Sequence, residues 1–134
     1  MEQLPYGFGV RTALAPEAAE AAVRAALADE GFGVLTEIDV AATFQAKLGV
    51  QRSPYKILGA CNPPLAHRAL GLDEQLGLLL PCNVVVYDEG GATMVAAMDP
   101  SLMPQLSPRP GLAEIAAEAA ERLRRALGRL EAAG

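Results

Sequence analysis

A chain of 134 residues, 51% of them hydrophobic, can bury about two-thirds of its unfolded surface in a single core, so neither a metal nor a disulfide staple is required. Eleven basic and sixteen acidic side chains leave a net charge of -5, which with such apolar content excludes a disordered chain. A pI near 4.8 argues against nucleic acid as a partner, because neutralising phosphates needs a concentrated basic surface. The longest apolar stretch, Leu76 to Tyr87, is broken by Pro81 and falls short of the roughly 20 residues of a membrane-spanning helix. Met1-Glu2-Gln3-Leu4-Pro5 lacks the basic and apolar regions of a signal peptide, so a cytoplasmic address is expected.

Proline and glycine cut the chain into short blocks without repeats, as in one domain spanning residues 1–134. Tyr6 to Leu14 alternates as a strand, with Phe8, Val10 and Thr12 on one side. Pro16 and Glu17 open a helix to about Glu30, stopped by Gly31; Ala19, Val23, Ala26 and Leu27 form its apolar face. Phe32 to Ile38 is a second strand. Asp39 then caps a short helix with Val40, Phe44 and Leu48 on one stripe, ended by Gly49.

Tyr55 to Cys61 is a third strand, and Asn62-Pro63 opens a brief helix through Leu65 and Ala69. Leu78 to Glu89 is strongly β-prone, turns at Asp88-Glu89-Gly90-Gly91 and returns as Ala92 to Met98, which predicts a hairpin. The connector 99–110 carries four prolines and is expected to be irregular. The last helix, about Gly111 to Leu130, has the clearest period: Leu112, Ile115, Ala119, Leu123, Ala126 or Leu127, Leu130. Its Glu118–Arg122 and Glu121–Arg125 pairs have i,i+4 spacing on a solvated face. This order predicts an α+β domain, a mainly antiparallel sheet of about five strands with helices packed on one face.

The residues able to carry chemistry lie between Tyr55 and Pro100. One strand ends in Cys61-Asn62-Pro63 and another begins Pro81-Cys82-Asn83. If these strands are antiparallel neighbours, Cys61 and Cys82 meet at one rim with Asn62 and Asn83. A turn centred on Glu89-Gly90 would set Cys82 opposite Ala97; one on Gly90-Gly91 would set it opposite Asp99. His67 is the only imidazole, so any Cys–His pair must use it. Closely spaced metal knuckles and phosphate- or dinucleotide-binding motifs are missing, so no metal site is expected and no cofactor is indicated.

Gly31-Phe32, Leu48-Gly49, Gly59-Ala60-Cys61-Asn62-Pro63 with Ala66, and Leu80-Pro81-Cys82-Asn83-Val84 together resemble the domain of unknown function 302 family, from about Tyr6 to Leu106. The resemblance implies a TATA-box-binding-protein-like arrangement: a strand, a helix, four strands and a closing helix. It implies no cofactor and no catalytic residue, and the fold hosts many functions. The leading expectation is therefore a small polar ligand held at a rim of Cys61, Asn62, His67, Cys82, Asn83 and Asp99, with Met and Leu side chains excluding water. The alternatives are thiol redox chemistry at Cys61 and Cys82, or a structural homodimer formed through a sheet edge or helix faces.

Overall fold

The computed structural model describes residues 1–133. Its six strands are β1 (Glu2–Leu4), β2 (Gly7–Thr12), β3 (Gly33–Asp39), β4 (Tyr55–Cys61), β5 (Cys82–Asp88) and β6 (Thr93–Met98). They form one antiparallel sheet in the order β1-β2-β6-β5-β4-β3. The five helices are α1 (Pro16–Asp29), α2 (Val40–Leu48), α3 (Pro63–Leu72), α4 (Met103–Leu106) and α5 (Leu112–Ala133). The fold class is α+β, and no helix among the described residues is long and apolar enough to cross a membrane.

Three details differ from the sequence expectation, the first being that the strand expected from Leu78 begins only at Cys82, since Glu74–Leu78 forms a 3₁₀ turn. The sheet has a sixth strand, β1, which forms a tight hairpin with β2 in which Leu4 faces Gly7. Three residues are too few to show alternation, so no period marks it. The connector 99–110 is partly helical: a 3₁₀ turn at Pro100–Leu102 runs into α4. Pro100 and Pro104 sit in the first turn of each short helix, where a missing N–H costs nothing, and Pro108 and Pro110 lie in the loop before α5.

Strand alternation fixes the core. One row across the sheet is Phe8, Ala97, Val84 and Leu58; the next holds Val10, Val95 and Val86. All are buried against Val23 and Leu27 of α1 and Leu112, Leu123 and Leu127 of α5. The α5 stripe read from the sequence is thus the inner face, while Arg122 and Arg125 bond Glu118 and Glu121 on its flank.

Turn chemistry sets the ends. Gly31 (φ 83°) closes α1 in a left-handed conformation, its N–H bonding Ala28 O while that of Phe32 reaches Leu27 O. Asp39 caps α2 through the Ala42 N–H at 2.9 Å, and left-handed Gly49 ends it. Gly90 and Gly91, both at positive φ, form the β5–β6 turn, since Asp88 pairs with Thr93 and Glu89 N–H bonds Ala92 O.

A thiol-walled candidate site

β4 runs beside β5 with Ala60 directly opposite Cys82. That register brings the end of one cysteine segment to the start of the other. α3, which leaves β4 through Asn62, and α5, which crosses from the far end of the chain, close over the junction. Between them lies a cavity of about 40 Å³ walled by Cys61 and Cys82, by Leu65, Ala66 and Ala69 of α3, and by Ile115, Ala116 and Ala119 of α5. Phe32, Ala60, Leu80, Pro81, Met103 and Leu112 also line it.

Nearly all of this lining is carbon and sulfur. Asn62 contributes the one side-chain amide, and both of its ends are engaged. Its Oδ1 accepts from Leu65 N–H at 3.3 Å and caps α3, while its Nδ2 donates to Glu30 O at 3.3 Å and ties α3 to the end of α1. Gly31 leaves room for that amide: a Cβ there would lie 3.0 Å from Nδ2. A cavity lined this way stays dry unless an apolar group enters it.

The two thiols differ. Cys82 is 5% exposed, whereas Cys61 is partly exposed at the strand end, opposite Gly33. Burial, and secondarily the nearby Cys61, pushes the Cys82 thiol from its ordinary 9.0 up to about 11. Cys82 therefore behaves as a small hydrophobe at neutral pH.

The other expected site residues lie outside the cavity wall. Asn83 is exposed and faces Gly59 on the opposite side of the sheet from Cys82. His67 is exposed on α3. Asp99, where the β5–β6 register continues opposite Cys82, caps the 3₁₀ turn through Ser101 N–H at 2.9 Å and approaches Arg124 at 3.9 Å. The α3 and α5 residues of the wall were visible in the sequence only as the inner faces of two helices. Nothing local marks which strand ends those faces cover. Of the methionines, Met103 lines the cavity, while Met94 and Met98 belong to β6.

A wider surface groove of about 660 Å³ runs between the start of α1 and β4, past Glu20, Arg24, Tyr55 and Lys56. Its charges satisfy one another. Lys56 Nζ lies 3.0 Å from both Glu20 and Glu37, and Arg24 reaches Glu20 at 2.9 Å and Glu37 at 3.0 Å. The Lys56 hydrogen bond, helped by Glu20, holds Glu37 below the ordinary carboxyl value, and Glu37 in return raises Lys56. Such a closed network ties α1 to β3 and β4 and leaves little charge for a ligand. Among the described residues no group of three or more His, Cys, Asp or Glu side chains is placed to hold a metal.

Residues 8–130 match the domain of unknown function DUF302. A solved structure described as an uncharacterized conserved protein DUF302 from Bacillus stearothermophilus superposes with a TM-score of 0.87 and is 33% identical. The match covers 95% of this chain and 99% of that one. No curated protein matches. With the family match spanning both cysteine motifs and both walls of the cavity, the chain belongs to the DUF302 family.

Proposed function

We propose that this domain binds a small molecule, taking its apolar end into the cavity between β4, β5, α3 and α5, with Cys61, Asn62 and Cys82 at the β side of the wall. The observation that carries this reading is the wall itself: a partly open, carbon- and sulfur-lined space whose one amide, that of Asn62, is already bonded and whose Cys82 is buried as a neutral thiol. The ligand's polar part then stays in solvent, and the acidic chain disfavours a nucleic acid as that ligand. The same reading puts the protein in the cytoplasm, where both thiols remain reduced. Thiol redox chemistry has the shared wall in its favour and the depth of Cys82 against it, because a neutral buried thiol is a poor nucleophile.

Titration with 1-butanol followed by methyl NMR tests the reading. Saturable shifts are expected at Leu65, Met103 and Ile115, which line the cavity. They should be lost in Ala116→Phe, whose ring would occupy the space. Shifts scattered over the surface, or unchanged by that substitution, would refute it.

A further inference from the structure

An open antiparallel sheet ordinarily packs one face on the core and turns polar side chains outward on the other. The second face of this sheet does not. One row across four strands reads Ile38, Ile57, Val85 and Ala96, and the next adds Tyr55, Tyr87 and Met94. None of these seven belongs to the core under α1 and α5. Tyr55 and Tyr87 stack on each other at 5.0 Å, with the Arg52 guanidinium 4.9 Å above the Tyr55 ring; Met94 and Ala96 are buried, so Ile38, Ile57, Val85 and the tyrosine pair are the accessible apolar part of this face.

The same chain carries an amphipathic helix with nothing to cover. Val40, Phe44 and Leu48 form one stripe of α2, yet no residue of that helix is buried. Phe44 is 37% exposed, Leu48 68%, and Val50 just beyond is 48%. A sheet face lacking a helix and a helix lacking a face are complementary surfaces on one molecule. Their charges agree. α2 and the loop after it carry Lys47 and Arg52 and no carboxylate, whereas the far corner of the open face holds Glu2 and Glu89 on either side of Arg11, two acids to one base.

We infer that two copies of this chain pair about a two-fold axis, α2 of each lying across Ile57 and Val85 of the other. The contact is made twice by symmetry, so each subunit contributes both a helix and a face. That doubling brings a nine-residue helix toward the roughly 800 Å² per partner of a stable complex. This inference stands apart from the cavity, which opens on the other side of the sheet.

Sedimentation velocity on the full chain across the micromolar range tests it. The unmodified protein is expected to be a dimer. Phe44→Glu and Val85→Lys should each weaken it about 30-fold or more while the circular dichroism spectrum is retained. Leu48→Glu, at a still more exposed position, repeats the test should either variant fold poorly. Mixing Phe44→Glu with Val85→Lys should restore dimers, because one contact is then intact and the other opposes a new carboxylate to a new ammonium. An unmodified chain that is monomeric throughout, or a dimer indifferent to Phe44→Glu and Leu48→Glu, would overturn the inference.

Discussion

At pH 8 iodoacetamide is expected to modify Cys61 of the native chain rapidly and Cys82 at least about 100-fold more slowly. Raising a thiol from 9.0 to about 11 removes that factor in thiolate alone, and burial of the sulfur adds to it. The rate at Cys82 should therefore keep climbing as pH rises toward about 11, and the difference should vanish in denaturant. Peptide mapping of a labelling time course reads both sites in one experiment. Equal native rates would mean that Cys82 is not the buried side of the cavity. Cys82→Ala should leave Cys61 reactive, since no hydrogen bond to Cys82 holds Cys61 in place.

The second large effect concerns how closely the strands approach. Gly7 lies on β2 opposite Met98, and a Cβ there would fall 2.2 Å from the carbonyl oxygen of Ala97. The obstacle is backbone, not a side chain that can rotate away, so relief requires β2 to part from β6. Gly7→Ala is expected to destabilise the fold by about 3 kcal/mol or more, a large share of the roughly 5–15 kcal/mol typical of a domain. Gly33→Ala is the control. It sits on β3 with nothing within 4 Å of the added carbon, and it should be neutral within about 0.5 kcal/mol. Urea melts of the two variants check the contrast; equal midpoints would show that the β2–β6 approach is looser than described.

Periodicity and punctuation made most elements legible. Pro16 and Gly31 bracket α1, Asp39 and Gly49 bracket α2, and Asn62 caps α3, each through a local rule that tertiary packing did not override. Of the two hairpin registers the sequence allowed, the one centred on Gly90-Gly91 occurs, because both turn residues need positive φ and only that pair supplies it. β1 and α4 were missed because three or four residues carry no period.

The candidate site was legible only as a conditional. Cys61 and Cys82 come to one end of the sheet because β4 and β5 are neighbours, and adjacency is a property of the whole sheet that no short stretch encodes; with Ala60 opposite Cys82, alternation turns the Cys61 side chain to the other face. Polar neighbours were harder still. Asn83 follows Cys82 directly, yet strand alternation sends the two to opposite faces. The amide of Asn62, chemically suited to a ligand, is spent joining two helix ends. The apolar second face also escaped the strand-by-strand reading. Ile57 and Val85 look unremarkable singly and become a surface only in register.

Crystals of the protein pressurised with xenon give the most direct test of the binding cavity, since xenon seeks out dry apolar space of this kind. A single strong peak is expected in contact with Cys61, Cys82 and Ala116, and absent from Ala116→Phe crystals. A cavity that stays empty under pressure, with xenon elsewhere, would contradict the account.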